Sequence, residues 1–82
     1  MERTPVESSM IQSVAYDPGT QVFEVQFVTR TKKDKTVVPG AIWQYESVPQ
    51  EVFNRFMGAE SKGAFFKSFI RANYNGNKVE SE

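Results

Sequence analysis

Residues able to bind an anion are concentrated in two short stretches of the chain. The 82-residue sequence balances ten Lys and Arg with ten Asp and Glu, so its formal net charge is zero. A basic face can therefore arise only if the fold brings the cationic stretches together. The alternative is that one stretch is a solvated hairpin tip and the other a solvated helix face. The first stretch holds Arg30, Lys32, Lys33 and Lys35; the second holds Lys62, Lys67, Arg71 and Lys78 without an acidic residue.

The second stretch begins with Ser61-Lys62-Gly63, a pattern typical of a helix start. The Ser61 hydroxyl can accept a hydrogen bond from an unpaired backbone N–H group, and Gly63 permits close approach to the backbone. Free N–H groups at a helix start can bind phosphate or carboxylate; the plainer interpretation is that Ser61 only caps the helix. At about 100° per residue, a helix running to Tyr74 has two opposite arcs. These are Phe65, Phe66, Phe69 and Ile70 on one arc, and Lys67, Arg71 and Tyr74 on the other.

The composition argues against an enzyme. The sequence has no Cys and no His, which excludes thiol catalysis, disulfides, Cys/His zinc sites and histidine general bases. Glu24 and Glu46 fall on neighbouring predicted strands, but both alternate with core residues, so we expect them to face solvent rather than to form a catalytic pair. We expect no catalytic residue, no metal and no cofactor.

Hydrophobic patterning predicts an α+β fold with a three-stranded antiparallel β-meander followed by two short helices packed on one face. The clearest strand is Gln21–Thr29, in which Phe23, Val25 and Phe27 alternate with polar residues. The turn Asp17-Pro18-Gly19-Thr20 joins it to the preceding strand. The other predicted strands are Met10–Tyr16, whose imperfect alternation indicates a bulge or burial on both faces, and Ala41–Glu46.

The helices follow the third strand. Val48-Pro49 begins the first, with Pro49 at the first helical position, and Gly58 ends it. The predicted core joins Phe23, Val25, Phe27, Trp43 and Tyr45 to Phe53, Phe56, Phe66 and Ile70. We expect a single domain over residues 8–74, with flexible termini at 1–7 and 75–82. No apolar run approaches the ~20 residues of a membrane span, and we expect a cytoplasmic protein.

Several segments occur in an order that resembles a known family. They are Ser8-Ser9-x-Ile11, Val14-x-Tyr16-Asp17, Phe23-Glu24-Val25-x-Phe27, Trp43-x-Tyr45, Val48-Pro49, Phe53, Ala59-x-Ser61-Lys62-Gly63-x-Phe65-Phe66 and Ile70-Arg71-x-x-Tyr74. This pattern resembles the KTSC domain family, named for the C-terminal extension of some lysyl-tRNA synthetases and found also in small stand-alone proteins of bacteria and phages. The chain departs from the family pattern by an insertion at Thr29–Ala41 and by Lys67 where Asn is common. The resemblance brings no catalytic residues and implies RNA contact by association only.

Three functions remain open at this point. The first is contact with RNA or another nucleic acid through the basic hairpin loop and the basic helix face, with Tyr74, or Trp43 if it is not in the core, stacking on bases. The second is a protein-interaction or regulatory module, such as a phage-encoded one, acting as a monomer or weak homo-oligomer. The third is a small phosphate or nucleotide binder at the second helix start. The candidate ligand-binding residues are Arg30, Lys32, Lys33, Lys35, Ser61, Lys62, Gly63, Lys67, Arg71 and Tyr74.

Overall fold

The chain folds into a five-stranded antiparallel sheet with two helical segments on one of its faces. The computed structural model describes residues 2–31, 33–35, 37–38 and 40–79. The strands of the sheet are β1 (Thr4–Pro5), β2 (Ile11–Asp17), β3 (Val22–Phe27), β6 (Ile42–Tyr45) and β7 (Gly76–Val79), in the spatial order β1-β2-β3-β6-β7. Two further strands, β4 (Arg30–Thr31) and β5 (Val37–Val38), form a separate two-stranded hairpin between β3 and β6.

The three central strands confirm the predicted meander, and β2 carries the predicted irregularity. Its register with β3 shifts between Ile11 and Ser13, which marks a bulge. Ser13, Val14 and Ala15 are consecutive and all buried, so both faces of the sheet are covered at this point. Imperfect alternation in the sequence therefore reflects both a bulge and two-sided burial.

The predicted strand count is wrong because the sheet has a short strand at each edge. β1 pairs with β2, placing Thr4 opposite Val14, and β7 pairs with β6, placing Gly76 opposite Tyr45. Both strands lie in the segments predicted to be flexible termini. Neither has an alternating apolar pattern, and both join the sheet mainly through backbone pairing, which any sequence can make.

The first helix, α1, spans Gln50–Met57 and ends at Gly58 as predicted. Pro49 occupies the N-cap position, one residue before the predicted first helical position. Its carbonyl accepts hydrogen bonds from the N–H groups of Val52 and Phe53. Phe56 packs edge-on against Phe23 of β3, at 5.2 Å between ring centroids, and so fixes α1 on the sheet.

The second helix is shorter in its α-helical part than the sequence predicts. α2 spans Lys62–Phe65 and continues directly into a π-helical segment, Phe66–Arg71. Phe66 and Ile70 are buried as predicted, but Phe69, which the sequence puts on the same arc, is 44 % exposed. A π-helical turn closes on i→i+5 hydrogen bonds rather than i→i+4, and the regular 100° spacing used for the prediction no longer holds there.

The core lies between the helices and the sheet. It contains Ile11, Val14, Phe23, Val25, Tyr45, Val48, Phe56, Phe66 and Ile70. Phe27, Trp43 and Phe53, also predicted as core, are only partly buried and pack against this cluster. Within the described ranges, no helix is long and apolar enough to cross a membrane.

Glu24 does not face solvent, contrary to the sequence prediction. It is 6 % exposed on the sheet face opposite the helices, and its carboxylate accepts hydrogen bonds from Arg3 Nη1 at 2.6 Å and Gln44 Nε2 at 2.8 Å. Burial raises the pKa of Glu24, but these hydrogen bonds and the charge of Arg3 outweigh it and leave the pKa below its ordinary value. Glu46, on the neighbouring strand, is exposed as predicted.

Candidate functional site

An aromatic cleft lies between the second helical segment and the β6–β7 edge of the sheet. It has a volume of about 360 Å³ and is lined by Met10, Phe27, Trp43, Tyr45, Phe66, Arg71, Tyr74 and Gly76. Trp43 and Tyr45 alternate on β6 and therefore face the same side, where their rings stack at 6.4 Å. Phe66 packs edge-on against Tyr45 at 5.4 Å and supports the cleft from the helix.

Gly76 determines how Tyr45 is placed in the cleft. The two residues are direct partners across β6 and β7. A β-carbon at position 76 would lie 2.5 Å from Cε1 of Tyr45, so the ring occupies the space that any other residue would need. The strand that the sequence did not predict thus forms one wall of the cleft.

Four polar side chains of the cleft make no hydrogen bond to the part of the chain that the structure describes. Tyr16 donates its hydroxyl hydrogen to the carbonyl of Val48, but the hydroxyls of Tyr45 and Tyr74, the Trp43 indole N–H and the Arg71 guanidinium make no hydrogen bond to any described residue. Tyr45 is only 5 % exposed, yet no buried side-chain nitrogen or oxygen in the described portion lacks a partner. The Tyr45 hydroxyl must therefore be the part of this side chain that reaches the open cleft.

The charge of Arg71 acts on the Tyr45 hydroxyl. Burial raises the pKa of Tyr45, and the positive charge of Arg71 opposes that rise without cancelling it. Tyr45 is therefore a neutral phenol at neutral pH and keeps a proton to donate. Lys78 is directly opposite Trp43 in the β6–β7 register, which places a second cation on the same face of the sheet.

Two shallower depressions extend the cleft along the surface. One, of about 500 Å³, is lined by Ser9, Met10, Phe27, Val28, Gly40, Ala41 and Lys67. The other, of about 470 Å³, is lined by Glu7, Ser8, Ser9, Met10, Glu60, Ser61, Lys62, Gly63, Ala64 and Lys67. Met10 borders all three, and Lys67 borders the last two. We call the cleft and these two depressions together the groove.

The predicted helix start is present, but its groups are largely engaged within the chain. The Ser61 hydroxyl caps α2 by accepting from the Ala64 N–H at 3.3 Å, and Lys62 Nζ donates to the Ala59 carbonyl at 3.3 Å. A β-carbon on Gly63 would lie 3.6 Å from Met10, an ordinary contact, so close approach to Gly63 does not require a glycine. These contacts favour the structural interpretation of Ser61-Lys62-Gly63 over an anion site.

Among the residues that the structure describes, the cations that line the groove come from the second stretch only, and they are Lys62, Lys67 and Arg71. Lys67 and the base of the hairpin, at Val28, Gly40 and Ala41, line the same depression. Arg71 and Tyr74 line the aromatic cleft at the other end. Lys33 and Lys35 are exposed at the hairpin tip, Arg30 contributes its backbone to β4, and Lys32 lies outside the described residues.

Sequence reasoning missed most of the residues that form the cleft. Phe27 and Tyr45 are predicted only as core residues, and the burial of Tyr45 confirms its part of that prediction. Trp43 is predicted as core, with stacking on bases as the alternative, and Met10 only as the start of a strand. A strand of alternating aromatic residues indicates a buried face, but the pattern does not show which part of that face the helices leave uncovered. The signal that could have found the cleft is the pairing of Gly76 with Tyr45, which requires the unpredicted β7.

The chain belongs to the KTSC domain family. The family's KTSC domain matches residues 7–74, nearly the whole chain. A protein of Stutzerimonas stutzeri described only as uncharacterised is 34% identical over 71 residues, covering 87% of this chain and 86% of its own. A protein of Tsukamurella paurometabola is 34% identical over 70 residues, covering 85% of this chain and 90% of its own.

The fold agrees with a solved structure of the same family. The crystal structure of a KTSC domain protein from Yersinia pestis superposes with a TM-score of 0.77 at 34% sequence identity. The match covers 96% of this chain and 97% of that one. The resemblance seen in the sequence is therefore confirmed at the level of family and fold.

Proposed function

We propose that this KTSC domain is a small non-enzymatic module that binds single-stranded RNA in its groove. The observation that supports the proposal is the aromatic cleft, in which Trp43, Tyr45 and Tyr74 stand beside the cation Arg71. Aromatic side chains next to a positively charged path are the usual means of holding unpaired bases and their phosphates. The association of the family with some tRNA synthetases makes RNA the nucleic acid to test first.

In this proposal the two ends of the groove have different tasks. One base stacks on the aromatic rings of the cleft, a contact of about 1–3 kcal/mol in other single-strand binders. The backbone continues past Met10 toward Lys67, the cation that both shallower depressions share. Glu7 and Glu60 line the far end of the groove, so we expect the strand to follow the hairpin side of Lys67 instead.

Binding of this kind is weak and only moderately dependent on salt. Three phosphate contacts, such as those of Arg71, Lys67 and Lys78, give a slope of about −2 for the logarithm of the affinity against the logarithm of salt concentration. A steeper slope would mean that the hairpin cations Lys33 and Lys35 also take part.

The chain provides its own probe for this proposal, because Trp43 is its only tryptophan and lines the cleft. Titration with a mixed-sequence single-stranded heptaribonucleotide should quench Trp43 fluorescence saturably, and Arg71→Ala should weaken binding by about tenfold. The matched control is Arg55→Ala. Arg55 is also an exposed helical arginine, but its guanidinium lies over Phe69 at 5.5 Å, not in the cleft. Absence of quenching at low salt would rule out the proposal.

A protein-interaction module is the second candidate, supported by a different surface. Phe69 is the large apolar side chain that the described part of the chain leaves exposed. Its ring stacks on Phe65 at 4.7 Å, and the Arg55 guanidinium covers both rings. Aromatic and arginine side chains of this kind are common anchors at protein interfaces. Two results together would favour this candidate over RNA binding. RNA would fail to bind, and Phe69→Asp would no longer capture a protein partner that the wild-type domain captures.

A further inference from the structure

The chemistry of the cleft suggests which base it accepts. Two of its polar side chains, Arg71 and Trp43, are donors only, because the guanidinium and the indole N–H have no acceptor atom, whereas the phenols of Tyr45 and Tyr74 can donate one hydrogen and can also accept. Arg71, Tyr45, Tyr74 and Trp43 have no hydrogen-bond partner among the residues that the structure describes. A flat ring that satisfies the donors of Arg71 and Trp43 must present acceptors at its edge.

The bases differ in how well they meet this requirement. Guanine presents two adjacent acceptors, O6 and N7, and the fork of an arginine guanidinium matches them in a bidentate contact. Adenine keeps N7 but replaces O6 with an amino group, which is a donor. Adenine would therefore place one donor against another, so the second hydrogen bond of the Arg71 fork would be lost.

We propose that the aromatic cleft is a guanine-selective site, in which the base stacks beside Trp43 and Arg71 donates to O6 and N7. The proposal rests on the proposed RNA-binding function and adds the identity of the bound base to it. The Tyr45 hydroxyl, on a side chain that is otherwise buried, donates a further hydrogen bond to the base or its sugar. Because the Tyr45 ring is held in place by its buried packing, its hydroxyl is already positioned before the ligand binds.

The test compares pentaribonucleotides of adenosine that differ only at the central position. The central residue is adenosine, guanosine, inosine or 7-deazaguanosine, and Trp43 fluorescence reports binding. We expect the guanosine oligomer to bind about five- to tenfold more tightly than the adenosine oligomer. Inosine retains O6 and N7 and should match guanosine, whereas 7-deazaguanosine lacks N7 and should lose most of the advantage.

Arg71→Lys separates base recognition from charge. Lysine keeps the positive charge but loses the planar fork, so the ratio of guanosine-oligomer affinity to adenosine-oligomer affinity should fall to about one in this variant. Retention of the full preference in Arg71→Lys would overturn the assignment of O6 and N7 to Arg71. We expect this variant to fold like the wild type, because Arg71 is exposed and makes no hydrogen bond to a described residue.

The outcomes distinguish this inference from the function beneath it. Equal binding of all four oligomers would overturn guanine selectivity and leave RNA binding intact. Preference for the adenosine oligomer would also overturn it. Failure of every oligomer to quench Trp43, at low salt and high concentration, would overturn both proposals together.

Discussion

Gly76 lies directly opposite Tyr45 across β6 and β7, and the Tyr45 ring fills the space that a β-carbon of residue 76 would occupy. The edge strand β7 and the floor of the cleft are thus built as one unit. A glycine in a polar tail thus controls the position of a buried aromatic ring in the lining of the cleft.

Gly76→Ala should therefore disturb both stability and binding. The added methyl group would meet Cε1 of Tyr45 at 2.5 Å, so the ring or β7 must move. We expect a loss of about 1–3 kcal/mol in the free energy of unfolding, measured by denaturant titration, and weaker quenching of Trp43 by RNA. The matched control is Gly58→Ala, where the added carbon would make an ordinary contact at 3.7 Å; unchanged behaviour of Gly76→Ala would contradict this view of the cleft.

The ion pair between Arg3 and Glu24 should stabilise the fold although it includes a residue just before β1. Arg3→Ala leaves a buried carboxylate with only Gln44 as partner, and we expect a loss of about 1–3 kcal/mol. In a Glu24→Gln background no buried charge is left behind, and the same Arg3 substitution should cost clearly less. Equal costs in both backgrounds, in a denaturant-based double-mutant cycle, would show that the two residues are not coupled.

Glu24 should also make the free energy of unfolding depend on pH. Its pKa is lower in the folded protein than in the unfolded chain, so its carboxylate adds stability that is fully present above the ordinary glutamate value of about 4.3. That contribution is lost as the pH falls from about 5 through the lowered folded pKa. The free energy of unfolding, measured from pH 6 downward, should fall less steeply in Glu24→Gln; parallel curves would remove Glu24 as a source.

Two phenylalanines on one helical segment should respond very differently to truncation. Phe66 is 1% exposed and packs edge-on against Phe27 and Tyr45, so Phe66→Ala should cost about 3–5 kcal/mol. Phe69 is 44% exposed, and Phe69→Ala should cost about 1 kcal/mol or less. Thermal melting of both variants checks the difference, and similar melting temperatures would contradict the burial of Phe66 and the exposure of Phe69.

The sequence predicts those elements whose side chains alternate or repeat regularly. Phe23, Val25 and Phe27 indicate β3, and the sequence of α1 is bounded correctly at Gly58. The sequence does not predict β1 and β7, because Thr4–Pro5 and Gly76–Val79 have no alternation of apolar residues. These strands are defined by backbone pairing, of β1 with β2 and of β7 with β6.

The candidate site is predicted only on its helical side. The sequence groups Lys67, Arg71 and Tyr74 because they lie on one stretch of chain, and all three line the groove. Trp43 and Tyr45 are predicted as core residues, and Tyr45 is buried as predicted, but local patterns cannot show that the face they share also lines an open cleft. The prediction that Glu24 faces solvent is wrong for a related reason. Its carboxylate is paired with Arg3, which is distant in sequence and is brought close to it only by the fold.

The central claim, that RNA binds in the groove, is tested most directly by titrating the isotope-labelled full chain with single-stranded RNA and following its amide and indole resonances by NMR. We predict saturable, salt-sensitive shifts at the single indole N–H of Trp43 and at the amides of Tyr45, Lys67, Arg71 and Gly76. Unchanged resonances at low salt, or shifts confined to Arg55, Phe65 and Phe69 on the other surface, would contradict the account.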